Sequence, residues 1–189
     1  MTKVLIAYGS KHGSTAEVAE RLASVLRDAS SDVVAINLAE VRKSSWPKPA
    51  DFDACIIGSC IRIEKWLKPM RKYVAKHKEA LSGKPLGIFV VSLSVCAGKD
   101  GHAKEKYVKD FIAENGLDAN LSAAFGGVLD ISKDSNLSGM MRKIMQAAAD
   151  DMRKDSGLDI KENEKNDFRD WEQIEQFARD FSSLLKNPQ

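Results

Sequence analysis

The stretch Lys3-Val4-Leu5-Ile6-Ala7-Tyr8-Gly9-Ser10-Lys11-His12-Gly13-Ser14-Thr15 leads from an apolar strand, Lys3 to Tyr8, into a loop of small and hydroxylated residues that opens an amphipathic helix near Thr15. Such a turn suits an anion. Gly9 and Gly13 are free to take φ > 0, and successive N–H groups then converge where the positive end of the helix dipole also favours negative charge. Ser10, Ser14 and Thr15 add hydroxyl donors, and Lys11 and His12 lie between them.

The spacing narrows the anion. A Walker loop needs four residues between its glycines and a Lys after the second, whereas here three intervene and Ser14 follows, which does not support triphosphate hydrolysis. The dinucleotide fingerprint G-x-G-x-x-G is absent, and no acidic residue closes a second strand about 20 residues on to meet a ribose. A single monophosphate fits best. The pattern [ST]-x-x-G-x-T formed by Ser10, Gly13 and Thr15 resembles the FMN phosphate loop of flavodoxins, with His12 where those proteins more often carry Thr. A plain helix cap remains an alternative reading of the same residues.

Working outward, strand-sized apolar runs alternate with helical periodicity, the order that makes a parallel sheet. The expected strands are Lys3 to Tyr8, Asp32 to Asn37, Ala54 to Gly58, Leu86 to Ser92 and Leu121 to Leu129. Helices are expected at about Thr15 to Ala29, Lys65 to Leu81, Lys104 to Asn115 and Trp171 to Leu185, and Trp46-Pro47-Lys48-Pro49 keeps anything in the second crossover short. Right-handed crossovers then give an α/β, three-layer, doubly wound five-stranded parallel sheet in the flavodoxin-like order 2-1-3-4-5. Its ligand crevice lies at the carboxyl ends of strands 1 and 3. One domain, residues 1–189, is expected, with a helical insertion at about 132–170 before the last helix. A chain of 189 residues is long enough to bury roughly 70% of its unfolded surface in a single core.

Composition sets the setting. The longest apolar runs are far short of the ~20 residues of a membrane span, and the first strand starts without a basic and apolar leader, so a soluble, cytoplasmic protein is expected. Cys55, Cys60 and Cys96 form no C-x-x-C and are odd in number, which suits free thiols in a reducing compartment. No metal site and no nucleic-acid partner is expected.

If the crevice is where the topology puts it, the exits of strands 1, 3 and 4 line it together. After strand 3 comes Gly58-Ser59-Cys60-Ile61-Arg62-Ile63, and after strand 4 comes Ser92-Leu93-Ser94-Val95-Cys96-Ala97-Gly98. Small and hydroxylated residues with apolar ones between them suit a flat heterocycle, whose faces meet side chains and whose edge meets backbone N–H and C=O groups. Ordinary βα turns with Ser as helix cap are the alternative.

The whole chain resembles the menaquinone-dependent protoporphyrinogen dehydrogenase branch of the flavodoxin superfamily. The resemblance is carried by the first loop, Ile57-Gly58-Ser59-Cys60-Ile61-Arg62, Ser92-Leu93, and the late Asp170-Trp171-Glu172-Gln173 with Phe177-Ala178-Arg179. It implies a noncovalent FMN that takes hydrogen from protoporphyrinogen IX in haem biosynthesis and passes electrons to a quinone, and an insertion before the final helix. The flavin would carry the reaction, with no protein group as catalyst. Cofactor binding is expected at Ser10, Lys11, His12, Gly13, Ser14 and Thr15, at Ser59, Cys60, Ile61 and Arg62, and at Ser92, Leu93, Ser94 and Cys96. Carrier flavodoxins place a glycine at the strand-3 loop for a backbone flip that stabilises the one-electron flavin. No glycine lies between Ser59 and Leu81 here, and φ > 0 at Cys60 or Ile61 would cost roughly 1–3 kcal/mol, so two-electron chemistry is expected.

A non-catalytic electron-transfer flavodoxin serving redox protein partners is the competing class. Such carriers dock by a large net charge of one sign, and this chain is at +2. Seven Lys or Arg between Arg62 and Lys78 stand against Glu64 alone, either a solvated face or an attractor for an anionic substrate or lipid, with Arg62 the functional candidate. Trp66 reads either as a flavin shield or as packing. In the insertion, Leu137, Met140, Met141, Ile144, Met145, Ala148 and Met152 recur at helical spacing. That face could be a lid, a quinone site, a homo-oligomer contact, a peripheral contact at the inner face of the membrane, or packing. Lys161 to Asn166 reads as a solvated connector.

Overall fold

The computed structural model describes residues 1–96, 100–135 and 137–186. Ala97 and Gly98 of the fourth-strand exit, and Asn136 beside the start of the insertion helix, lie outside the described residues.

The chain folds as β1 (Lys3–Gly9), α1 (Ser14–Asp28), β2 (Asp32–Asn37), β3 (Ala54–Arg62), β4 (Lys65–Trp66), α2 (Lys68–Ser82) and β5 (Leu86–Val91). There follow α3 (Asp100–Ala103), a π-helical turn (Lys104–Lys109), α4 (Asp110–Asn115), β6 (Leu121–Phe125), β7 (Val128–Asp130), α5 (Gly139–Ser156), β8 (Lys165–Asp167) and α6 (Trp171–Lys186). The five long strands pair in parallel in the order β2-β1-β3-β5-β6, the doubly wound order expected.

The near-continuous apolar strands follow from burial on both faces. Leu5, Ala7, Cys55, Ile57, Ile88 and Val90 pack with Met70, Tyr73 and Phe111 on one side. Their neighbours in sequence, Val4, Ile6, Ile56, Phe89 and Val91, pack with Leu22, Phe177 and Phe181 of α1 and α6 on the other. Gly58 sits opposite Phe89 in the ladder, and a Cβ there would lie 2.1 Å from the Phe89 ring, so the sheet needs a residue without one. Gly9 serves the same purpose: it belongs to β1 rather than to a φ > 0 turn, and its missing Cβ leaves space that Met70 Cγ approaches to 2.7 Å.

Two expected elements break where local chemistry says they must. The run Leu121 to Leu129 is two strands, because Gly126 and Gly127 turn the chain out of the sheet. A Cβ on Gly126 would meet the Phe168 carbonyl oxygen at 2.1 Å, and β7 pairs antiparallel with β8 instead of extending β6. The helix expected from Lys65 begins at Lys68, with Pro at the start of α2, and Lys65–Trp66 fold back on β3 as a hairpin. The connector expected to be merely solvated ends in β8. Leu129, Ile131, Ala149, Met152 and Ile160 give the insertion a small core of its own.

Candidate functional site

The first turn is built around Gly13, whose φ of +95° no residue with a side chain adopts without strain. Gly13 also caps α1 without any side-chain cap, which leaves N–H groups of the first helical turn for another acceptor. The start of the loop is pinned from outside. Asn37, at the end of β2, accepts from the Ser10 N–H at 3.0 Å and donates to the Ser10 carbonyl at 3.1 Å, while Ser10 Oγ accepts from the Gly13 N–H at 3.2 Å. Sequence reasoning missed Asn37, since nothing at the end of a second strand announces that its side chain crosses to the first.

Thr15 supplies the test of what the turn holds. The residue is fully buried and its Oγ1 has no hydrogen-bond partner within the protein. An unpaired buried hydroxyl costs about 1–3 kcal/mol. A phosphoryl oxygen in the cradle would satisfy it, and the surrounding donors fit a phosphomonoester.

Around the cradle lies a cavity of about 390 Å³, lined by Ser10, Lys11, His12, Ser14 and Thr15 from the first turn. Cys60, Ile61 and Arg62 of β3 and Ser92 and Leu93 after β5 line it as well, so three strand exits converge at one crevice. Other expected residues stand behind that wall. The Ser59 hydroxyl accepts from the Leu67 N–H at 3.1 Å and donates to the Cys60 carbonyl at 2.8 Å, closing the hairpin. Ser94 donates its N–H to Ser92 Oγ at 3.2 Å, and Cys96 Sγ accepts the Gly127 N–H at 3.4 Å. All three cysteines are free, and burial pushes the Cys60 and Cys96 thiols above their ordinary range, so both are protonated at neutral pH.

The second wall is a hairpin held under strain. Arg62 pairs with Lys65, and the two residues between them, Ile63 and Glu64, have φ of +48° and +59°, the signature of a type I′ turn made without glycine. Cys60 and Ile61 continue the strand, so φ > 0 falls at the tip and not beside the cavity. A clasp holds the tip: Glu64 Oε2 accepts from Lys106 Nζ at 2.7 Å and from the Tyr107 hydroxyl at 2.6 Å. Those bonds, Lys106 first, hold the Glu64 carboxyl below the usual carboxylate range. Trp66 is packing: its ring stacks on Phe111 at 3.8 Å and its Nε1 donates to the Tyr107 carbonyl in the π-helical turn.

The third wall comes from the insertion. Leu137, Met141 and Met145 reach the cavity, whereas Met152 faces the insertion's own core and Met140 is 74% exposed. Lys165, inside the segment read as a connector, lines the cavity because Asp130 pairs with it in the β7–β8 ladder. Charge at the mouth is mostly positive, with Lys11, Arg62 and Lys165 against Glu17 and Asp130. Burial, then Arg62 and Lys11, lower the His12 pKa, so its imidazole is neutral at pH 7. Of the basic run, Arg62 lines the cavity, while Lys65, Lys68, Arg71, Lys72, Lys76 and Lys78 form an exposed face. Among the described residues there is no cluster of His, Cys, Asp and Glu fit for a metal ion, and no helix is long and apolar enough to cross a membrane.

Comparison with known proteins agrees with this geometry. A family model described as Flavodoxin domain matches residues 5–155. The protoporphyrinogen IX dehydrogenase (quinone) of Escherichia coli is 24% identical over 187 residues, covering 98% of each chain. The flavodoxin of Fusobacterium nucleatum, solved bound to flavin mononucleotide, is 14% identical with a TM-score of 0.51 over 98% of each chain. The rubredoxin oxygen:oxidoreductase of Desulfovibrio gigas is 16% identical with a TM-score of 0.57 over 98% of this chain, which spans 36% of that protein's length. The two structures share the fold. The family match and a cradle shaped for one phosphoryl group agree on FMN as cofactor.

Proposed function

This chain belongs to the flavodoxin family, and from that premise we propose that it is an FMN-dependent oxidoreductase taking two electrons at a time from protoporphyrinogen IX, or a related porphyrinogen, and passing them to a quinone. The observation that carries the proposal is the similarity to the E. coli dehydrogenase, which runs through the insertion to the last helix over 98% of both chains. The flavin supplies the redox chemistry.

The chain's own residues bind and orient. Thr15 and the first-turn N–H groups would hold the phosphate of a bound FMN, and Ile61, Leu93, Met141 and Met145, which line the cavity, would keep water from its ring. Arg62 and Lys165 at the mouth favour a substrate that carries carboxylates. A quinone acceptor would bring the working protein to the inner face of the membrane.

Anaerobic addition of protoporphyrinogen IX to the yellow holoprotein is expected to bleach the flavin absorbance without a second protein, and a quinone to restore it. The Fusobacterium likeness, also nearly end to end, favours one other reading, a carrier flavodoxin. Colour that changes only when a reductase is present would decide for it.

A further inference from the structure

Beside the first turn, one guanidinium joins two parts of the chain that are distant in sequence. Arg169 lies between β8 and α6, and its side chain is 3% exposed. Its Nη1 meets Glu17 Oε2 at 2.8 Å and the Ser14 carbonyl at 3.4 Å. On the other side Nε and Nη2 grip the two Asp167 oxygens at 2.8 and 2.5 Å, and the guanidinium carbon lies 4.5 Å from the centre of the Trp171 ring.

We propose that Arg169 is a positioning residue for the cofactor phosphate, acting through Glu17: it neutralises and holds aside a carboxylate that would otherwise repel the phosphate from the cradle. The proposal rests on the FMN reading. Glu17 stands in the first turn of α1, lines the cavity, and has its Oε1 3.9 Å from where a Cβ on Gly13 would be. A phosphomonoester brings nearly two negative charges to that turn at neutral pH. A free carboxylate there competes for the same helix-terminal N–H groups and adds like-charge repulsion at a few ångströms. The Arg169 fork holds the carboxylate off those N–H groups and offsets most of its charge, and the repulsion that remains is what Glu17→Gln would relieve. By bonding the Ser14 carbonyl and Asp167 together, it also ties the cradle to the β7–β8 ladder that carries Lys165.

The test compares two ligands that differ only in the phosphate, FMN and riboflavin. Binding to the full-length, flavin-stripped chain is followed by quenching of flavin fluorescence. Arg169→Met is expected to weaken FMN about tenfold and riboflavin less than about twofold, Glu17→Gln alone to tighten FMN about threefold, and the double variant to bind FMN within about twofold of wild type. Equal weakening of both flavins in Arg169→Met, or no recovery in the double variant, would show a structural brace and overturn the proposal. Should Arg169→Met not fold, Glu17→Gln decides: unchanged or weaker FMN binding overturns the proposal. A wild-type chain that takes up no FMN would instead sink the cofactor reading.

Discussion

Two turns follow the adjacent strands β1 and β3 beside the cavity, and both demand backbone with φ > 0, yet they meet the demand in opposite ways. The first uses Gly13 at φ +95°, where no side chain has to be accommodated. The second uses Ile63 and Glu64 in a hairpin whose I′ geometry favours Asn and Gly, and Ile63 is 86% exposed, so burial does not compensate its strain. What compensates is remote: the Glu64 carboxylate reaching Lys106 and Tyr107, and Ser59 closing the hairpin base. A glycine turn is preorganised by its own covalent structure, whereas a turn without glycine is only as ordered as the contacts that hold it.

The contrast is sharpest at Gly13. Gly13→Val puts a β-branched side chain at φ +95°, costs about 1–3 kcal/mol, and should weaken FMN binding about tenfold to a hundredfold, as flavin fluorescence titration would read. Thr15→Val is expected to weaken FMN about tenfold while raising the stability of the flavin-free chain by about 1 kcal/mol, because it deletes an orphaned hydroxyl that only the ligand satisfies. A denaturant melt of the stripped protein checks the second half. If Thr15→Val destabilises it, the hydroxyl had another partner.

At the hairpin the sign reverses. Ile63→Asn should stabilise the protein by about 1 kcal/mol, a Tm rise of about 2–4 °C by calorimetry, since Asn tolerates the left-handed region and no buried area is lost. The smallest effect is in pH. Glu64 has its folded pKa depressed, so its clasp contributes stability above roughly pH 4 and loses it as pH falls through the lower folded value. The small Tm difference between wild type and Glu64→Gln should therefore be present at neutral pH and vanish in acid. A difference that grows on acidification would remove the clasp from the account.

Legibility followed the range of the interactions. The Gly13 cradle, the strand order and the meeting of three strand exits could be read from residues close in sequence, because hydrophobic period and turn chemistry are local. The hairpin at Lys65 was hidden by a helical pattern that Pro69 cuts short, and a single apolar run concealed the exit at Gly126. Asn37, Lys165 and Arg169 gave no local signal. Each acts on a segment it does not adjoin: Asn37 on Ser10, Lys165 on the cavity through its pairing with Asp130, and Arg169 on Ser14 and Glu17.

By itself, then, the order of residues determined a doubly wound sheet and a single-phosphoryl cradle at its first crossover, since apolar periodicity, glycine conformation and helix-terminal donors are properties of neighbours along the chain. Tertiary structure alone decided which wall each Met of the insertion faces, how a glycine-free hairpin is held, and where the carboxylate beside the cradle is neutralised. Those outcomes depend on buried charge and close packing between segments up to 155 residues apart, and no local pattern encodes such pairings.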